Sequence, residues 1–595
     1  MTCSYDPVGL PLPVLPIPPD MTCTPDLAHS IECEPRVQLR IPIKLGPRTF
    51  QYDLAFRGNL TIDEKRLAGA VSISLGDAVS SLHLEEARRR LLALYKEEGF
   101  AYADVSLAVE KSADQTRARI RFDVSEGERV IVRQIVIHGN RLTQDGVIRR
   151  RVALFVGQPY RTSDVRKTQE RIATLNVFSS VNVSLANPLV PQKNKAVVVT
   201  VAEGEPQYID LRAGFSNGEG PRGGFEYGHK NLFGLAIGAA LRLQASYLPD
   251  FLILDSTILK NFQKLTTLQR LAARATLTGT FPDVGLGPLV RASVDGVVLN
   301  DVERYFQILK GAVIPTVYYR PARQVQMSLG ASAEYNDLTL LGGFKDPSEA
   351  LQASGGNLDT AKLLRAYSGP SKVFSQRFTT AWDRRDNSFN AHKGTYLAGS
   401  IEHADAFATA ACGAGVGAGC DGHFVRLSQT FSGYYPVTRK IGFAATLRLG
   451  EVFQLTSSSQ TYPDRFFFMG GFDTMRGWAQ DTLIPQDALD SLRANRIYDP
   501  SKLATRGGNL MINPRFELRV PVTGPLETVF FFDTGNLWND LTYPFSHGFE
   551  FRAAAGTGVR VQTPVGPLAL DYGINLTRIS SYEDFGALNF SIGLF

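Results

Sequence analysis

The sequence predicts a transmembrane β-barrel of sixteen antiparallel strands preceded by α+β repeats with the order βααββ. Three observations carry this. The last 390 or so residues break into strand-length segments whose connections alternate short and long. Within those segments apolar and polar residues alternate with period two. An offset of 139 − 58 = 81 residues relates two stretches of the N-terminal third.

The repeats come first in the chain. Gly46-Pro47-Arg48 leads through Leu54-Ala55-Phe56 to Gly58-Asn59, and Gly127-Glu128-Arg129 leads through Ile135-Val136-Ile137 to Gly139-Asn140. A period of this length is a small domain rather than a solenoid turn. In the first unit Thr61-x-x-Glu64 has the form of a capping box opening a short helix. The second helix, 83–98, sets Leu84, Ala87, Leu91 and Leu94 on one face, and strands at 103–110 and 117–125 follow. In the second unit the expected helices are 143–152 and 163–175, with strands at 180–185 and 195–202. Residues 37–45 match the last strand of a unit by the same offset, as the tail of a further, incomplete copy. The expected division is 1–45 as a partial remnant or unstructured N-terminus, 46–127 and 128–205 as repeat units, and 206–595 as the barrel.

Barrel strands are expected at 207–215, 223–230, 236–247, 269–281, 289–301, 304–318, 324–336, 375–384, 394–403, 424–435, 441–450, 509–521, 526–535, 551–562, 567–577 and 586–595. Even-to-odd connections are tight (Asn231–Leu235, Pro436–Lys440, Val522–Pro525, Thr563–Gly566), whereas 337–374, 404–423 and 451–508 are long. Short periplasmic turns opposite long outer loops characterise transmembrane barrels. A sheet in hydrocarbon cannot leave an edge open, so the barrel must close.

Strand parity separates lumen from lipid. In 509–519 Asn509, Met511, Asn513, Arg515, Glu517 and Arg519 fall on one face, and Leu510, Ile512, Phe516 and Leu518 on the other. The apolar set must face lipid, which turns Glu517 and its arginine neighbours inward. Phe530 and Phe532 take the outward face of the next strand, so Asp533 also points inward. In the last strand Leu588, Phe590, Ile592 and Leu594 oppose Asn589, Ser591 and Gly593. The terminal Phe595 falls one step out of phase with that apolar set.

Charged residues make up 20% and mean hydropathy is −0.08. No run of 18 apolar residues marks a transmembrane helix, which leaves a barrel open because alternation dilutes its apolar face. A net charge of +5 over this length gives no argument for nucleic acid. Eight His without Cys-x-x-Cys give no zinc-site pattern, and no metal or other cofactor is expected. Cys412 and Cys420 share a Gly/Ala-rich outer loop, compatible with a disulfide in an oxidising compartment, while Cys3, Cys23 and Cys33 leave an odd one over. Residues 1–30 lack a basic start and are interrupted by Pro7, Pro11, Pro13, Pro16, Pro18 and Pro19, so the natural start is expected upstream.

Several motifs have plainer readings. Gly214-Phe215-Ser216-Asn217-Gly218 fits the nucleophile elbow, but that chemistry needs a following helix, and here another strand follows. Gly218-Glu219-Gly220-Pro221-Arg222-Gly223 fits a dinucleotide fingerprint without the helix N-terminus that would hold phosphate. Asn59-Leu60-Thr61 reads as a Gly-Asn turn before a helix rather than a glycosylation acceptor.

A βααββ unit repeated before a sixteen-stranded barrel resembles the POTRA domains of BamA/TamA-like outer-membrane assembly factors, in the bacterial surface antigen superfamily. The loop Met469-Gly470-Gly471-Phe472-Asp473-Thr474-Met475-Arg476-Gly477-Trp478 resembles the family's Gly-Gly…Arg-Gly-aromatic motif. Asn513-Pro514-Arg515-Phe516-Glu517-Leu518-Arg519, Phe531-Phe532-Asp533-Thr534-Gly535-Asn536 and Gly566–Gly573 resemble its following strands. Asp383-Arg384-Arg385-Asp386-Asn387 with Lys393-Gly394, and Asn231-Leu232-Phe233-Gly234, recur there too. The resemblance covers 46–595, with two complete POTRA units where the family usually has more.

An arginine in a long outer loop is ordinarily solvated. The resemblance implies instead that the loop folds into the lumen and that Gly470, Gly471, Arg476, Gly477 and Trp478 form a latch whose Arg476 meets Glu517 and Asp533. It further implies a non-enzymatic factor that inserts barrel or autotransporter clients into the outer membrane. Client strands would add to a POTRA sheet edge, at 103–110 or 180–185, and enter a lateral seam between the first and last barrel strands. Leu211, Gly214, Ser591, Gly593 and Phe595 are expected at that seam, with Leu211 near Ser591. Partners implied are unfolded outer-membrane clients, outer-membrane lipids and periplasmic accessory proteins, with no nucleic acid. The alternative is a two-partner secretion transporter that exports one cognate substrate through the pore.

Overall fold

The computed structural model describes residues 47–595 except 254–255, 343–346, 357–365, 389, 410–420, 439–440, 495–502, 564–565, 580–582 and 593–595. The segment 37–45, all five cysteines, Gly593 and Phe595 therefore lie outside the described residues. The chain divides into two compact units. One holds the first repeat with Leu154–Arg166 and Ser184–Val197; the other holds the barrel with Val136–Ala153 and Lys167–Val183.

In the first repeat, β1 (Phe50–Arg57), α1 (Glu64–Val71), α2 (Ser81–Glu97), β2 (Asp104–Lys111) and β3 (Arg117–Ser125) form a sheet of order β1-β3-β2 under two helices. Helical spacing puts Leu84, Ala87, Leu91 and Tyr95 of α2 into one core with Ala118, Ile120 and Phe122 of β3. The second repeat has β4 (Ile131–His138), α3 (Asp145–Arg149), α4 (Thr162–Ala173), β5 (Phe178–Leu185) and β6 (Asn194–Glu203), with sheet order β4-β6-β5. The strands at 103–110 and 180–185 thus fall at sheet edges, as β2 and β5. On the opposite edges a neighbouring segment takes up backbone groups. Gln51 N–H bonds the Asp77 carbonyl at 3.0 Å, and Val132 N–H bonds the Gln158 carbonyl at 3.0 Å.

The capping box is a correction. α1 begins at Glu64 behind Asp63, and Thr61 has another partner: its N–H and hydroxyl both donate to Glu126, at 2.9 and 2.6 Å. The second repeat uses the same device, with Leu142 and Thr143 N–H donating to Glu203 at 2.9 and 2.6 Å. Gly58 and Gly139 sit at the same place in each repeat, at φ +78° and +93°. A Cβ there would lie 2.1 Å from the Val124 carbonyl oxygen or 1.9 Å from that of Val201. Only glycine fits.

The barrel closes in chain order. Its strands are β7 (Gln207–Ser216), β8 (Gly220–Leu232), β9 (Ile237–Tyr247), β10 (Leu271–Phe281), β11 (Val290–Val302), β12 (Phe306–Ala322), β13 (Val325–Leu340) and β14 (Gly369–Asp383). They continue as β15 (Gly394–Ala408), β16 (Gly422–Pro436), β17 (Gly442–Gln454), β18 (Leu510–Thr523), β19 (Leu526–Trp538), β20 (Arg552–Thr563), β21 (Gly566–Asn575) and β22 (Gly586–Ile592). Each overlaps an expected segment, neighbours pair antiparallel, and β22 returns to β7. Phe516, Leu518, Phe530, Phe532 and Leu588 are exposed on the outer face, while Asp533 and Asn589 are buried. The Gly-x-Ser-x-Gly stretch is the β7–β8 hairpin. In the Asn231–Gly234 turn, Asn231 donates to the Thr143 hydroxyl at 2.9 Å and the Gly234 carbonyl accepts from Gln144 N–H at 2.8 Å.

Candidate functional site at the lumenal loop and the barrel seam

The connection from β17 to β18 supplies the lumen's contents. Its Tyr462, Phe467, Met469, Met475, Trp478 and Leu483 form one apolar cluster with wall residues including Val373, Ala404, Phe424, Met511, Leu537 and Ala554. Gly470 and Gly471 make the turn that delivers Arg476. Both have positive φ, +121° and +87°, and a Cβ on either would collide with the return of the loop at Ala479 or Gln480. Thr474 closes the turn through the Gly470 N–H at 2.9 Å. At Gly477 a Cβ would stand 2.6 Å from the Ala554 methyl, so the loop lies directly on the wall.

Arg476 is completely buried. Its Nε and Nη2 donate to the two oxygens of Asp533 at 2.7 and 2.6 Å, a bidentate fork, and its backbone N–H donates to the same carboxylate at 3.1 Å. Nη1 donates to Glu517 at 2.7 Å and to Asp571 at 3.3 Å. The guanidinium carbon lies 3.6 Å from the centre of the Phe531 ring. Such charge-assisted bonds in a confined site are strong and directional, and a planar guanidinium suits them where an ammonium would not. Trp478 donates its indole N–H to Glu583 at 3.0 Å and carries Arg552 at 5.2 Å over its ring.

The structure therefore brings Arg476, Glu517 and Asp533 together and adds two residues that the motif reading did not single out. Asp571 was within reach of parity, since Leu570 and Tyr572 beside it are exposed on the outer face. Asn589 of β22 donates to the Arg476 carbonyl at 3.0 Å, which connects the loop to the last strand. A second anchor went unread altogether. Arg465, near the start of the same loop, meets Glu334 of β13 at 2.7 Å and Glu402 of β15 at 3.3 Å. Lys310 of β12 bridges Asp464 and Glu334 at 3.2 and 3.1 Å. Parity turns Glu334 inward, but nothing local in the sequence pairs it with a loop residue 131 positions away.

At the seam, the described residues of β22 and β7 form two registered pairs, Ser591 with Ser216 and Ile592 with Phe215. By contrast β7 pairs with β8 from Gln207–His229 through to Ser216–Gly220. The Phe215 and Phe590 rings lie 5.8 Å apart. The placement of Leu211 beside Ser591 is corrected by this register. Leu211 pairs with Phe225, and it stands five residues from Ser216, about 16 Å along an extended strand. Gly214 sits in β7 opposite Arg222.

Among known proteins, a model of the Omp85 superfamily domain matches residues 319–595, and a POTRA model, described as a surface antigen variable number repeat, matches 53–127 and 130–204. The chain carries an Omp85 barrel behind POTRA repeats. Outer membrane protein assembly factor BamA of Nitratidesulfovibrio vulgaris is 23% identical over 570 residues, covering 93% of this chain and 63% of that protein. BamA of Neorickettsia risticii is 24% identical over 493 residues, covering 81% and 57%. The chain thus spans 57–63% of the length of these two curated relatives. The crystal structure of BamA from Haemophilus ducreyi lacking POTRA domains 1–3 shares the fold, with a TM-score of 0.66 at 16% identity over 92% of this chain and 99% of that one. The Omp85 barrel lies in the outer membrane, with its POTRA repeats in the periplasm.

Proposed function

We propose that this chain is an outer-membrane protein assembly factor that inserts β-barrel or autotransporter clients. Unfolded client strands add to the POTRA sheets at the open edges of β2 and β5, where main-chain groups supply affinity. They then enter the membrane at the junction of β7 and β22. No catalytic group takes part: the client's own folding into lipid drives the reaction. Accessory periplasmic proteins and outer-membrane lipids complete the proposed set of partners.

The observation that carries this reading is the short seam. Among the described residues every other junction of the barrel is a longer ladder, so separation of β7 from β22 breaks the fewest of their backbone hydrogen bonds and exposes an edge that a client strand can extend. Pairing Ser216→Cys with Ser591→Cys tests it. Asn217 N–H donates to the Phe590 carbonyl at 3.1 Å, which makes 216/591 the neighbouring non-bonded pair. Such pairs have Cα atoms about 4.5 Å apart, within the range that a disulfide spans. Oxidised protein should stop assembling clients and reductant should restore it. Normal assembly by the locked protein would remove the seam from the mechanism and favour passage through the lumen, as in a secretion transporter.

A further inference from the structure

β7 ends at Ser216 and the chain turns away toward β8, yet the ladder along β22 continues for three more bonds, the first from the Asn217 N–H to the Phe590 carbonyl. Asn217 makes the other two with its side chain: Nδ2 donates to the Leu588 carbonyl at 2.7 Å, and Oδ1 accepts from Phe590 N–H at 3.3 Å. In the register of Ser216 with Ser591, a continuing β7 would have met those two groups with the carbonyl of residue 217 and the N–H of residue 219. Glu219 N–H is instead committed to the Ser216 hydroxyl at 3.2 Å, within the turn. A carboxamide is a peptide group without a chain attached. It presents one donor and one acceptor at about the spacing of a strand backbone. The Asn217 amide borders a cavity of about 20 Å³ shared with Arg304, Gln480, Ala587 and Leu588, room for one water. Hydrogen bonds rather than close packing therefore hold it in place.

Resting on the seam reading above, we infer that Leu588–Phe590 is a binding site for an extended polypeptide backbone, and that Asn217 is its resident placeholder. An incoming client strand displaces the amide by offering a true backbone carbonyl and N–H to the same two groups. Rotation of one side chain frees both groups, and the single bond from the Asn217 N–H to the Phe590 carbonyl is the one ladder bond the incoming strand must then replace. The displaced amide turns to water at the outer end of the seam, so neither partner is left with a buried unpaired group.

Asn217→Ala and Asn217→Asp separate this from a merely structural turn residue. In Asn217→Ala, hydrogen exchange of the segment 586–592 should accelerate about tenfold or more, because two hydrogen bonds are lost. A photo-crosslinker at Leu588 should also capture an added unfolded outer-membrane client in higher yield. Asn217→Asp keeps the acceptor for Phe590 N–H but loses the donor to Leu588, and should fall between. Unchanged exchange overturns the proposal. So does faster exchange without a rise in client capture, which would mark Asn217 as a turn stabiliser. The Ser216–Ser591 lock keeps the two readings apart. If locked protein still assembles clients, the seam reading fails whatever Asn217 does; if the lock blocks assembly while Asn217→Ala changes nothing, only the placeholder fails.

Discussion

Arg476 shows how a buried charge makes a loop position specific. Its guanidinium is held by three carboxylates on three strands, Glu517 of β18, Asp533 of β19 and Asp571 of β21, and Arg560 closes the network through Asp571. Truncation leaves Asp533 to Arg515, Glu517 to Arg519 and Asp571 to Arg560, but it removes the fork to a fully buried carboxylate, a penalty of about 3–5 kcal/mol for a broken buried pair. Arg476→Ala should therefore leave the barrel folded while the 451–508 loop becomes protease-sensitive and client assembly falls. Arg476→Lys should recover little of either, because an ammonium cannot reproduce the fork to Asp533. Wild-type proteolysis and wild-type assembly in Arg476→Ala would refute a latch. The loop motif, the inward parity of Glu517 and the inward parity of Asp533 were all legible in the sequence. Their meeting was not a matter of pattern: it rested on the family resemblance, because parity gives a face but never a partner across the lumen.

The elements were the most legible level, since period two and helical period each follow from local geometry. Local reasoning failed where a distant side chain displaced a local one. Thr61 has the spacing of a capping box, yet Glu126, 65 residues further on, takes both its N–H and its hydroxyl. The exchange has a pH consequence. Burial alone would raise the Glu126 carboxyl, but the hydroxyl and N–H bonds from Thr61 outweigh it and hold it below the usual carboxylate range. Glu203 is held down likewise against burial by Thr143 and Leu142. With the folded value depressed, this stabilisation is complete above the unfolded value, about 4.3, and is lost as pH falls through the folded one. Protection of amides in α1 and in the turn at 139–145, measured against the intrinsic exchange rate at each pH, should fall below about pH 4.3. Glu126→Gln and Glu203→Gln should show that low protection already at neutral pH, with little further change in acid. An identical acid response in wild type and both variants would assign the transition elsewhere.

For the whole molecule, closure is the quantity that local reading cannot supply. The offset at which β22 meets β7 is the accumulated stagger of fifteen earlier junctions. A one-residue error in any of them moves the seam, so Leu211 was set opposite Ser591 where Ser216 belongs. The loop between β17 and β18 is tied to the wall at two charged points in its first half: Arg465 on Glu334 and Glu402 of β13 and β15, and Arg476 on the carboxylates of β18, β19 and β21. The anchors share no residue, so either alone should hold the loop inside, and their losses should combine without compensation. In planar bilayers, Arg465→Ala and Arg476→Ala should each keep the low conductance of the wild type, with more frequent brief openings. The double variant should form a persistent pore while retaining heat-modifiable migration as evidence of a closed barrel. If Arg465→Ala alone opens the pore as fully as the double variant, Arg476 does not anchor the loop. Its carboxylate network then serves the seam through Asn589, and the lumen is shut by Arg465.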